Sequence, residues 1–283
     1  MQWLVIQLIF IALALTGIVR AEDADSSSDV SGVSVTTDFD QQHKQYDQLL
    51  KKYVSATADG FSTVVDYKSV KKNVSQLDGY LSALQSVSTQ TYAGWSREEK
   101  LAFLINAYNA WTLKLIVNHY PGIISIKDIG SFFQSPWSKS FIPLLGKQRS
   151  LDEIEHEMIR GDKLFSDERI HFAVNCASIG CPALRSEAYT ADLLEQQLDS
   201  QTRQFLSDKS RNRASDDTIY LSKIFSWYEE DFSKGWNGIS SLAVFLERYS
   251  SALGLNEKQL VTLKHNQFDI EYLDYDWALN ELK

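Results

Sequence analysis

Proline and cysteine are scarce in this chain: 4 Pro, 13 Gly and 2 Cys stand among 283 residues. So little Pro and Gly excludes collagen-like structure, and 44% hydrophobic with 12% aromatic residues excludes wholesale disorder. Two cysteines cannot build the dense disulfide framework of a small secreted scaffold, nor a four-cysteine zinc or iron–sulfur site within one chain. Positive charge is also short. Against 37 Asp+Glu there are 28 Lys+Arg, leaving a net charge of −9 with no dense basic block, which argues against a nucleic-acid partner. No Walker or dinucleotide glycine loop occurs, and no Gly-x-Ser-x-Gly elbow.

What is present begins with an apolar run, Trp3 to Leu15, followed by Gly17 and the small-residue end Val19-Arg20-Ala21. Residues 1–21 therefore read as a cleaved export signal, although the segment ahead of the run has no Lys or Arg, so a retained anchor stays open. Residues 22–37 are acidic, Ser-rich and free of aromatics, the composition of a flexible leader. From residue 38 to 283 the apolar residues are spread evenly and no second linker occurs, which predicts one globular domain. Nothing after residue 21 approaches the ~20 apolar residues of a membrane helix, so no membrane insertion is expected after cleavage, and the chain should act exported, in a periplasm or outside the cell.

Helical periodicity is expected near Asp40–Val54, over Val70–Ser86 and most strongly over Ser96–His119, where Ser96-x-x-Glu99 is a capping box and Pro121 follows. Ser150-x-x-Glu153 caps a shorter helix through Arg160, and further helices are predicted at Ala191–Leu206, Ser222–Phe232 and Ile239–Ala252. Strand signals fall at Phe61–Tyr67, Phe141–Leu145, Thr218–Leu221 and Phe268–Tyr272. The fold class is α+β: a helix-dominated single globular domain with a small, mainly antiparallel sheet.

Several polar residues stand where apolar ones are expected. Lys114 is the only charge between Leu101 and Val117, so that helix is buried nearly all round, and Asn106 and Asn109 share one of its faces. A buried amide must be hydrogen-bonded, either to backbone or to a ligand. Over Leu151–Arg160, at about 100° per residue, Leu151, Ile154, Met158 and Ile159 form an apolar face that includes Glu155, with His156 at its border between Asp152 and Arg160. Glu155 must then pair with an Arg such as Arg160 or Arg169, shift its pKa, or bind something.

The densest segment is Arg169–Pro182, RIHFAVNCASIGCP, with both cysteines, His171 and Asn175. A helix would set His171 and Cys176 about 140° apart, so a local dyad is disfavoured and His156 is an alternative base. Three readings of Cys176-x₄-Cys181 stay open: a disulfide, which needs a chain break that Gly180 can supply; a catalytic thiolate at Cys176; or metal binding with His171. Weaker signals are Phe225–Phe232, an aromatic run in which Asp231 could point inward; the acids Asp269, Glu271, Asp274 and Asp276, read as a charged strand face; and the sequon Asn73-Val74-Ser75.

The segments LAFLINAYNAWTL (101–113), SLDEIEHEMIR (150–160), RIHFAVNCASIGCPAL (169–184), IFSWYEEDF (224–232) and YDWALN (275–280) resemble the domain-of-unknown-function family 547, in the form seen in exported bacterial proteins. The resemblance implies a globular domain with no established reaction, and its polar positions here are Asn106, Tyr108, Asn109, Glu155, His156, His171, Asn175, Cys176 and Cys181. The leading expectation is a thiol-dependent hydrolase or acyl-transfer enzyme acting on a small-molecule or peptide ligand, without a cofactor. In it Cys176 is the nucleophile, His156 or His171 the base, and Asn106 or Asn109 orients the base or donates to an oxyanion, with Glu155 counted among the catalytic candidates. The competing expectations are a noncatalytic envelope module with a Cys176–Cys181 disulfide and a metal site at the same residues.

Overall fold

A capping box starts the central element of the molecule. In this computed structural model, which describes residues 38–283 apart from Phe132 and Asp216, the Ser96 hydroxyl accepts from the Glu99 amide and the Glu99 carboxylate accepts from the Ser96 amide. The export signal (1–21) and leader (22–37) lie outside the described residues. Phe39–Lys283 form one compact unit. Its axis is the 23-residue helix Arg97–His119, buried continuously from Leu101 to Leu113. Lys114, its one interior charge, reaches out to Asp78 at 2.7 Å.

Helices α1 (Lys44–Tyr53), α2 (Tyr67–Lys72), α3 (Val74–Ser86) and α4 (Thr89–Ala93) precede this axis, α5 (Arg97–His119), and α1 to α3 pack on or beside it. The helix predicted over Val70–Ser86 is broken at Asn73, whose side-chain amide donates to the Ser69 carbonyl at 2.9 Å, competing with the backbone for that turn. After α5 come α6 (Leu194–Ser207), α7 (Lys223–Trp227), α8 (Leu242–Arg248), α9 (Ser250–Leu253) and α10 (Glu257–Lys264). The predicted single runs 222–232 and 239–252 are each divided, by Tyr228 and by Tyr249.

Among the described residues the expected sheet is three separate small ones. Strands β1 (Val54–Ala56) and β2 (Thr63–Val65) pair antiparallel, as do β3 (Ile142–Leu144) and β4 (Lys147–Arg149). The latter pair turns through Leu145 and Gly146, both at positive φ, the conformation that a two-residue hairpin of the primed type requires. In the third sheet β5 (Arg213–Ser215) pairs antiparallel with β6 (Thr218–Ser222), while β6 pairs parallel with β7 (Asp269–Leu273). The parallel pairing follows from the chain that intervenes, since α7 to α10 form the crossover that parallel strands need. Asp269 and Glu271 are exposed, as expected of a charged strand face.

Among the described residues the buried apolar side chains form two clusters. One surrounds α5; the other gathers Phe172, Phe205, Phe225, Phe232 and Phe245. The chain passes between them at Phe172 and Ala173, one residue in each cluster. Among the described residues no helix is long and apolar enough to cross a membrane.

Candidate functional site

At this seam lies a cavity of about 210 Å³, walled by residues of both clusters, among them Tyr108 from α5 and Ile224 from α7. Three polar groups meet in its wall.

The first is a buried imidazole. His171 lies in the 3₁₀ turn Glu168–Phe172, and its Nε2 lies 2.7 Å from Asp231 Oδ2, both side chains fully buried. Asp231 also accepts from Arg160 Nε and from Lys234 Nζ, each at 2.6 Å. Burial pushes the Asp231 carboxyl upward, but the hydrogen bonds from His171, Arg160 and Lys234 outweigh it and hold the group far below its usual range. A carboxylate only accepts, so His171 Nε2 carries the proton. Burial lowers the His171 pKa below 6.5, with Asp231 opposing, so the ring is neutral near pH 7 and its Nδ1 is a bare acceptor. That nitrogen is buried and has no hydrogen-bond partner. Tyr228 stacks on the ring at 3.9 Å between centroids.

The second group is Glu155, 5% exposed and facing inward as the apolar face predicts. The Ser150–Glu153 capping bonds form, at 2.7 and 3.1 Å. Yet the helix is not an α-helix: Glu153–Ile159 is a π-helix, closed by the Arg160 amide on the Glu155 carbonyl at 2.9 Å. Such wide turns are rare and concentrate at functional sites. Neither arginine expected for Glu155 pairs with it. Arg160 goes to Asp231, and Arg169 binds Asp167 and Glu195 through both edges of its guanidinium. Glu155 instead accepts the Tyr228 hydroxyl at 2.6 Å. Burial, then the Glu155 charge, push the phenols of Tyr228 and Tyr108 far up, so both remain protonated donors. His156 sits at the border, 40% exposed, with Arg160 Nη1 donating to its Nδ1 at 2.9 Å and Asp152 3.9 Å from its Nε2.

The third group is sulfur. Cys176 and Cys181 are joined in a disulfide with Cα atoms 6.2 Å apart. The nucleophile expected at Cys176 is therefore corrected for this form of the chain: its sulfur is bonded and no thiolate exists. Ala177, at φ 61, bends the chain between the two cysteines. A Cβ on Gly180 would lie 2.9 Å from the Tyr275 ring, so only glycine lets that ring close over the loop. The segment carrying Tyr275 is clipped on by backbone bonds, Ile179 N–H to Ala278 O, Gly180 N–H to Asp276 O and Asn280 N–H to Ala177 O. It brings Tyr275 and Trp277 into the cavity wall beside Trp137 and Trp227.

Of the six residues expected to act, Glu155, His156, His171 and Cys176 line this cavity and Asn106 and Asn109 do not. Both amides are spent on backbone. Asn106 donates to the Tyr189 carbonyl and accepts from its amide, and Asn109 donates to Ala173 O and accepts from the Asn175 amide at 2.8 Å. Their oxyanion role is thereby replaced by pinning of the loop that carries Cys176. Sequence pattern alone does not mark Tyr228, Tyr275 or Trp277 as site residues. The signal for Tyr228 and Asp231 is their shared short motif, and for the other two the recurrence of aromatics in YDWALN. Among the described residues no group of three or more His, Cys, Asp or Glu is placed to hold a metal ion.

A family model described as "Protein of unknown function, DUF547" matches residues 92–206. No curated protein and no solved structure matches the chain. The matched segment carries Tyr108, Glu155, His156, His171 and both cysteines, while Tyr228, Asp231, Tyr275 and Trp277 lie beyond it.

Proposed function

For a chain whose residues 92–206 match a family model whose description names no reaction, we propose a hydrolase acting on a small molecule bound in the seam cavity, with His171 as general base. The observation that carries this reading is one imidazole in the cavity wall whose Nε2 is held by a buried carboxylate and whose Nδ1 has no partner. Asp231 fixes the tautomer and carries the counter-charge when Nδ1 takes a proton from an attacking water. The Tyr228 hydroxyl holds Glu155 in the wall by donating to one of its carboxylate oxygens, and the carboxylate keeps acceptor capacity for an N–H or O–H group of the substrate. Trp137, Trp227 and Trp277 supply apolar contact surface. Export of the chain belongs to the same proposal and is supported by the disulfide, since such bonds persist in oxidising compartments.

The disulfide favours a second reading, a noncatalytic module that only binds its ligand in this cavity. A panel of chromogenic esters and amides separates the two. Under the first reading one class is hydrolysed above buffer, and His171→Gln lowers kcat by about 10²–10⁴-fold while ligand binding persists. The rate is flat above pH 6.5 and falls only below it, because His171 titrates below its usual value. Binding without turnover by the wild-type chain supports the second reading, and turnover indifferent to His171→Gln overturns the first.

A further inference from the structure

The sulfur atoms of the cavity are surrounded by more hydrogen-bond donors than a passive crosslink uses. The Cys176 amide donates to Cys181 Sγ at 2.9 Å. The Tyr275 hydroxyl lies 3.1 Å from Cys181 Sγ and 3.0 Å from Cys176 Sγ, and the Ser178 hydroxyl 3.4 and 3.2 Å from the same two atoms. The two hydroxyls are 3.0 Å apart. Neutral sulfur is a weak acceptor, so these donors gain little from a closed disulfide and much from a thiolate. The two cysteines also differ in access: Cys176 is partly exposed, whereas Cys181 is 2% exposed.

We propose that Cys176–Cys181 is a thiol–disulfide exchange centre that opens into the cavity and reacts with low-molecular-weight thiols and disulfides. The thiolate of a small thiol attacks Cys176 Sγ, the accessible atom. The bond between the two protein sulfurs breaks, and its electron pair stays on Cys181 Sγ, where the Cys176 amide and a hydroxyl stabilise it. A second thiolate then attacks the small molecule's sulfur in the mixed disulfide. It releases a small disulfide and leaves Cys176 as thiolate, and solvent protonates both cysteines. Two thiols are oxidised by two electrons and the protein disulfide is reduced by the same two; a small-molecule disulfide reverses the sequence. Rate in such exchange follows access to the attacked sulfur and stability of the leaving thiolate, and the structure differentiates the two cysteines on both counts.

The loop does not need the bond to keep its shape. The separation of five residues is short, where a crosslink restrains the unfolded chain least. Independent ties hold the same backbone: Asn109 on Ala173 and Asn175, Asn175 on Pro182 and Ala177, Arg211 Nη2 on Ile179 O, and the 276–280 segment. Opening and closing can thus proceed on a standing fold. This proposal is independent of the hydrolase reading, since it uses neither His171 nor Glu155.

The test uses the full chain, oxidised, in buffers of reduced and oxidised glutathione, quenched in acid, alkylated and mapped by peptide mass spectrometry. Millimolar glutathione should open the bond without denaturant and leave its adduct on Cys176. Tyr275→Phe should slow opening by about 10-fold, through loss of one donor to the leaving sulfur, without moving the melting temperature of the oxidised chain in step. Should Tyr275→Phe fold poorly, the position of the adduct in the wild-type chain still decides. A bond that opens only in denaturant, an adduct on Cys181, or a folded Tyr275→Phe chain that opens at the wild-type rate each overturns the proposal.

Discussion

Two regions bury a histidine, with different partners. At the start of the helical layer His43 Nδ1 meets the Tyr80 hydroxyl at 2.7 Å; in the cavity wall His171 Nε2 meets the Asp231 carboxylate at the same distance. Each ring keeps one buried nitrogen without a partner. Burial lowers both pKa values, that of His43 to about 4 with only a weak opposing pull from Asp40, that of His171 against direct opposition from Asp231. An orphan nitrogen is therefore no mark of chemistry by itself. What distinguishes His171 is a carboxylate that dictates its tautomer and a cavity beside the ring.

The strongest way to break this contrast is Asp231→Ala. It leaves His171, Arg160 and Lys234 without their common acceptor and should cost about 3–5 kcal/mol in chemical denaturation, as loss of one partner from a buried ion pair does. Asp231→Asn, which keeps the shape, should cost less.

A pH titration of stability sharpens the other side. Folded His43 takes a proton only near pH 4, whereas the unfolded chain takes it near 6.5. Between those values the unfolded state binds more protons, so stability is full above 6.5 and is lost as pH falls toward 4, by roughly 3 kcal/mol from this group. The difference in unfolding free energy between the wild type and His43→Gln should shrink by that amount over the window; a constant difference would contradict the assignment.

Smaller again is Asn109→Ala, which strands the Asn175 amide and the Ala173 carbonyl and should cost about 1–3 kcal/mol. Hydrogen exchange at Asn175 should accelerate beyond the global change, because the amide loses its acceptor locally.

The sequence makes some of this contrast visible and hides the rest for physical reasons. α5 was legible because a capping box and an unbroken apolar run leave few alternatives, and the same run shows that Asn106 and Asn109 must be paired. Helical periodicity turned Glu155 inward correctly even though the turn is π, since both geometries put it on the buried side over so short a span. Its partner could not be foreseen. Tyr228 is 73 residues away, and Arg160 and Arg169 are claimed by Asp231, Asp167 and Glu195. The break at Asn73 and the parallel pairing of β6 with β7 were likewise missed, one because a side-chain bond overrides helical pattern, the other because pairing direction is set by the crossover. The disulfide was one of three open readings, which spacing alone could not separate.

The clip of residues 276–280 onto the Cys176–Cys181 loop has a consequence in time. Tyr275 follows Cys176 by 99 positions, so a ribosome adding about 5–20 residues per second delivers the loop roughly 5–20 s before its roof. In that interval the sulfurs lack the Tyr275 hydroxyl. An oxidant that reaches the pair within that interval meets a bare loop, whereas one that reacts with it afterwards meets the finished cavity.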